Sequence, residues 1–122
     1  MQAYGQSKLG NVLFTYELAR RLAGTRVTAN ALHPGVVGTG FAANNGSLVR
    51  LGLRLFRPFT ISPEQGAQTS IYLATSPEVE GITGKYFVDK QAVPSSAISY
   101  DTAVAGRLWQ VSTEMTGLPM TI

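Results

Sequence analysis

Three stretches of helical periodicity alternate with two short β-branched ones along this chain, and that alternation restricts it to folds in which helices cover a sheet of neighbouring strands. Residues 3–23 carry Leu9, Val12, Leu13, Tyr16, Leu18, Ala19 and Leu22 at helical spacing, with Gly24 where a left-handed cap would fall. Residues 26–32 (RVTANAL) read as a strand, stopped by His33-Pro34-Gly35. Ser62-Pro63-Glu64-Gln65 supplies a cap residue, a proline at the first helical position and a glutamine three residues on to return the capping bond. A second helix therefore starts there, and it ends near Ser76, ahead of Pro77. Gly81 and Gly84 turn the chain into a second strand over residues 85–89 (KYFVD). Asp101 caps a last helix, on which Val104, Leu108, Val111 and Met115 form the stripe expected to face the core, and Gly117-Leu118-Pro119 closes it. Between the first strand and the second helix, residues 35–61 read as a glycine-rich loop holding a small amphipathic helix, with Leu48, Leu51 and Leu55 on one face and Arg50, Arg54 and Arg57 on another.

The resulting order, helix-strand-loop-helix-strand-helix, predicts an α/β fold in which the two strands lie parallel and are joined by a crossover. Two strands make a poor sheet, and the outer edge of the first has no evident partner, so at least one further strand is expected beside it. At 122 residues, 44% of them hydrophobic and 14% charged, the chain fits one packed domain. The absence of cysteine excludes disulfides and thiolate metal sites, and a single histidine with seven scattered acids offers little for a metal centre. No apolar run approaches the ~20 residues that span a bilayer and no signal pattern opens the chain, which leads to the expectation of a cytoplasmic protein. The net charge of +3 is carried by dispersed lysines and one arginine cluster at 50–57, a pattern that does not point to nucleic acid. That basic face reads as solvated in preference to membrane-bound.

Tyr4 and Lys8 stand four residues apart at the start of the first helix and project from one face. A phenol with an ordinary pKa of about 10 is a weak proton donor and acceptor at neutral pH, and a neighbouring ammonium favours its ionised form, so the pair is a candidate for general acid–base work. Taken alone, the same spacing on a helix is commonplace. His33 beside a Pro-Gly turn reads as structural, and Trp109 as a packing residue.

Tyr4-Gly5-Gln6-Ser7-Lys8 resembles the YxxxK signature of the short-chain dehydrogenase/reductase family. After the next strand, His33-Pro34-Gly35-Val36-Val37-Gly38-Thr39 resembles that family's PGxVxT turn at the corresponding distance. AYGQSKLGNVLFTYELARRL and NALHPGVV are most similar to its retinol-dehydrogenase-like branch, and the resemblance runs over residues 3–117. It implies that the chain is the C-terminal half of a Rossmann-like, doubly wound parallel sheet, one partial domain over 1–122 with a substrate loop at 40–61. It also implies an NAD- or NADP-dependent oxidoreductase interconverting an apolar alcohol and a carbonyl. Tyr4 would transfer the proton, and Lys8 would assist it and bind the nicotinamide ribose. Pro34, Gly35, Val37 and Thr39 would lie along the carboxamide, Gly38 being a departure from the residue usual before the threonine. Placement beyond the carboxyl end of a strand suits a ligand of an open parallel sheet. The family's glycine-rich phosphate turn, structural asparagine and catalytic serine precede the tyrosine motif. The expectation is accordingly a truncated chain, inactive alone, whose free strand edge pairs with an N-terminal half, with another copy, or with another partner in a non-catalytic role.

Overall fold

The computed structural model describes residues 2–35 and 62–119, so the substrate loop, its amphipathic helix, Val37, Gly38 and Thr39 lie outside the described residues. Helix α1 spans Gln2–Arg21, strand β1 Ala31–His33, helix α2 Pro63–Thr75, strands β2 and β3 Tyr86–Val88 and Gln91–Val93, and helix α3 Thr102–Thr116. Single 3₁₀ turns occupy Pro77–Val79 and Ala97–Tyr100.

The helix ends follow from local hydrogen bonds, as expected. Ser62 accepts from Gln65 N–H and the Gln65 side chain accepts from Ser62 N–H, at 3.2 and 3.0 Å, which closes the capping box of α2. That helix stops at Ser76, the residue before Pro77. Asp101 Oδ1 accepts from both Ala103 and Val104 N–H at the start of α3. Gly117 ends α3 at φ +68, a conformation in which a Cβ would crowd the following carbonyl, and Gly24 follows α1 at φ +86.

β1 and β2 pair in parallel with Leu32 opposite Phe87, so the strand-crossover-strand expectation holds. Two departures refine it. First, β1 begins only at Ala31: before it the backbone bond from Gly84 N–H to Ala29 O, 2.8 Å, is interleaved with side-chain bonds. Ala29 N–H donates to Thr83 Oγ1, while Asn30 bonds Ile82 O through Nδ2 and accepts Lys85 N–H through Oδ1. Second, the sheet has a third strand and is mixed. β3 pairs antiparallel with β2 through a two-residue turn in which Asp89 and Lys90 both take positive φ, +48° and +63°, the geometry of a tight hairpin. Lys90 N–H donates to Thr69 Oγ1 of α2 at 3.2 Å, which fastens that turn.

The core lies where α1 and α3 meet the sheet: Leu13, Tyr16 and Ala19 from α1, Phe87 (2% exposed) at the centre of β2, and Ala105 and Trp109 from α3. The face that α3 buries differs from the stripe expected of it. Ala105, Trp109 and Thr113 are buried, whereas Val104 and Met115 are 42% and 82% exposed. With about 100° between successive residues, the expected stripe starts one position round from the buried one. Small Ala105 and the indole of Trp109 decide the contact by shape: Phe14 stacks on the indole at 5.2 Å and the Arg21 guanidinium stands 4.6 Å from its centroid.

Glu17 anchors that guanidinium, accepting from Arg21 Nε at 2.8 Å and also from Arg20. Burial opposes ionisation of Glu17, but the two guanidiniums outweigh it and hold the carboxyl below its ordinary range. A depressed folded-state pKa contributes stability that is present above the unfolded value, about 4.3, and is lost as pH falls through the folded value. Glu17→Gln is therefore expected to flatten the decline of thermal stability below about pH 4.3, measured by melts across pH 2–6. Asp101→Ala is expected to cost about 1 kcal/mol in urea unfolding, and Asp101→Ser to recover most of it.

Candidate functional site

The two sequence motifs fall on separate elements, one in the first turns of α1 and one just past the end of β1. The α-helical repeat puts Tyr4 and Lys8 one turn apart on a single face, and the Lys8 ammonium stands 5.4 Å from the centre of the Tyr4 ring. Both side chains are exposed, Tyr4 by 60%. Ser7 folds back on the same turn, its hydroxyl donating to Tyr4 O at 2.8 Å. Gly5 and Gly10 leave the neighbouring surface open: a Cβ at either position would meet nothing within 4 Å. The start of α1 thus presents a phenol and an ammonium together to whatever approaches from outside.

At the end of β1, Gly35 N–H donates to His33 Nδ1 at 2.9 Å, which closes the turn around Pro34. Gly35 takes φ +83, a value that a residue with a Cβ would reach only with strain. His33 acts in this turn as a hydrogen-bond acceptor, the structural role its position suggested. Val37 and Thr39 lie outside the described residues, so of the expected site the structure describes Tyr4, Lys8, Pro34 and Gly35. It joins the first two directly and places the other two on a neighbouring element, with β1 packed beside α1.

A second polar cluster, absent from the sequence reading, ties the middle of α1 to the segment after β3. Tyr16 Oη lies 2.7 Å from Ser95 Oγ, which lies 2.5 Å from Ser99 Oγ, and Ser99 donates to Ser96 O. The Tyr16 and Tyr100 rings stack at 5.4 Å, and Ser95 N–H donates to Tyr100 Oη. Burial pushes the Tyr16 phenol up, and hydrogen bonds from Ser95 draw the exposed Tyr100 phenol down. The partners stand 79 residues apart, so no local spacing could reveal them. Beside them Tyr16, Ala19, Arg20, Thr83, Gly84 and Tyr100 line an open cleft of about 270 Å³.

Among the described residues no helix is long and apolar enough to cross a membrane, and no three His, Asp or Glu side chains are grouped so as to hold a metal ion.

No known family profile matches this chain. Against individual proteins it is 49% identical over 123 residues to retinol dehydrogenase 14 of Homo sapiens, with 94% of this chain and 35% of that protein covered. It is 49% identical over 116 residues to retinol dehydrogenase 12 of Mus musculus, covering 95% of this chain and 36% of the relative. To polyprenol dehydrogenase of Homo sapiens it is 44% identical over 123 residues, with 95% and 36% covered. The chain spans about a third of the length of the curated relatives it matches.

Proposed function

On the homology just described we propose that the chain belongs to the short-chain dehydrogenase/reductase family and is the proton-transfer portion of an NAD(P)-dependent oxidoreductase acting on a long apolar alcohol or its carbonyl. The observation that carries this reading is the Tyr4–Lys8 pair, held together on one helical face and exposed. The chain that carries it is nearly half identical to retinol dehydrogenases over 94–95% of its length. The substrate class follows from those relatives' names, retinol and polyprenol both being apolar alcohols. The three-stranded sheet is part of a larger Rossmann-like one in this reading, continued beyond the outer edge of β1.

The residues present fit a nicotinamide nucleotide. The ammonium of Lys8 and the hydroxyl of Tyr4 are exposed where sugar hydroxyls could bond them, and the Gly35 turn leaves backbone free of side chain beyond a strand's carboxyl end. The nicotinamide, when bound, supplies or accepts the hydride. In the oxidative direction Tyr4 Oη takes the alcohol proton as hydride leaves the carbinol carbon; in the reductive direction Tyr4 gives that proton to the carbonyl oxygen. Lys8 would bond the ribose and Pro34 and Gly35 would flank the carboxamide, with Val37 and Thr39, outside the described residues, assigned there by the family resemblance alone.

A second reading is favoured by one observation: β1 ends the sheet, so among the described residues its outer edge is unpaired. A chain that presents such an edge can serve as a pairing module without chemistry. As 122 residues alone, with no glycine-rich phosphate turn in the sequence, the chain is expected to turn over poorly, because proximity supplies much of an enzyme's rate.

Tyr4→Phe is expected to abolish any turnover of retinol or a polyprenol that the chain shows with NAD⁺ or NADP⁺ while leaving its circular dichroism unchanged; retained turnover removes Tyr4 from the mechanism. A ligand that binds only the folded state raises its melting midpoint, so millimolar NAD⁺ or NADP⁺ is expected to raise that of the 122-residue chain. A broad, unshifted melt would favour the pairing module.

A further inference from the structure

The first turns of α1 bury no side chain, although Gln6, Ser7 and Gly10 border an open cleft shared with Leu108 and Ser112 of α3. Residues 3–8 are all exposed, and the first buried α1 side chain is Leu13. Among the described residues, Tyr16 is the first α1 side chain to hydrogen-bond a residue outside the helix. It stands 12 residues after Tyr4. The sense of its hydroxyl chain is fixed by counting protons. Ser99 has one hydroxyl proton and gives it to Ser96 O, so Ser95 donates to Ser99 and Tyr16 donates to Ser95. Every hydroxyl in the row is satisfied, and the row ends on Ser99, which is only 2% exposed. The ring stacked on Tyr100 and the backbone N–H of Ser95 on Tyr100 Oη hold the receiving segment still.

The geometry points to the Tyr16–Ser95–Ser99 hydroxyl row as a positioning unit for the Tyr4–Lys8 pair: acting with the Phe14–Trp109 stack, it sets the tilt and register of α1, from whose far end that pair projects. This rests on the catalytic reading of Tyr4 given above. The leverage is large, since 12 residues of helix span about 18 Å, and a tilt of about 5° at Tyr16 carries Tyr4 by roughly 1.6 Å. A displacement of about 1 Å at a reacting group is enough to cost on the order of 100-fold in rate. A Phe ring at position 16 would keep the stack on Tyr100 and lose only the donated proton, so the row can be broken without emptying the core.

Amide hydrogen exchange of the 122-residue chain tests the row without any assumption about chemistry. In Tyr16→Phe and in Ser95→Ala, amides 6–12 of α1 are expected to exchange about tenfold faster while amides 105–113 of α3 keep their rates, because one lost hydrogen bond loosens one element. Ser95→Thr, which restores a hydroxyl, is expected to return the original rates. Uniform acceleration in both helices would show a general loss of stability, and unchanged rates would show that the row holds nothing; either overturns the proposal, as does a variant that does not fold. In whatever retinol oxidation the chain shows, Tyr16→Phe is expected to lower kcat with KM unchanged. If Tyr4→Phe retains turnover the catalytic reading fails while the exchange result stands. If exchange is uniform the positioning role fails while the Tyr4→Phe result stands.

Discussion

The contact on which the rest of this structure depends is the seating of Trp109 against α1. Phe14 and Arg21, two helical turns apart on α1, meet the same indole, one by stacking and the other with its guanidinium. Glu17 lies between them in sequence and fixes the arginine. This arrangement chooses which side of α3 is buried, and it does so against the helix's own apolar stripe of Val104, Leu108, Val111 and Met115. Once α3 is seated, the 3₁₀ turn ahead of it brings Ser95, Ser99 and Tyr100 to the side of Tyr16, and the sheet packs beneath with Phe87 at its centre. Helix α1 is therefore gripped along its later turns, while the end that carries Tyr4 and Lys8 stays open.

Local hydrogen-bond motifs were legible in the sequence and remote shape was not. The capping box of Ser62 and Gln65, the Asp101 cap and the left-handed Gly24 and Gly117 all depend on neighbours within a few residues, and each stands where the sequence put it. β3 was missed because its turn uses Asp89 and Lys90 at positive φ, where a glycine or asparagine pair would have announced a hairpin. β1 is shorter than its propensity suggests because side-chain hydrogen bonds of Asn30 and Thr83 interrupt the ladder around the one backbone bond from Gly84 to Ala29, an interruption no β propensity reports. The stripe of Val104, Leu108, Val111 and Met115 has good periodicity, yet the contact with α1 is decided by one small and one large residue, Ala105 and Trp109.

The candidate site divides along the same line. Tyr4 and Lys8 could be paired from sequence because a helix fixes the relation of residues four apart, and the structure brings them together as that relation requires. The Pro34–Gly35 turn could be placed at a strand end, and its closure by His33 gives that histidine a structural task. The relation between the pair and the turn is a matter of how a helix sits beside a strand, which depends on packing far from either motif. The Tyr16–Ser95 contact is part of that packing, and its partners come from opposite ends of the chain.

Trp109 is the only tryptophan in the chain. Its indole is pressed between an aromatic ring and a cation, both carried by α1, and its ring nitrogen is buried without a hydrogen-bond partner among the described residues. Tryptophan emission, excited selectively over the five tyrosines, is in consequence a single-site optical signal of helix docking. Separating α1 from α3 would wet the indole and redden its spectrum, whereas events confined to α2 or the hairpin would leave the colour alone. The molecule contains its own gauge of the contact that organises it.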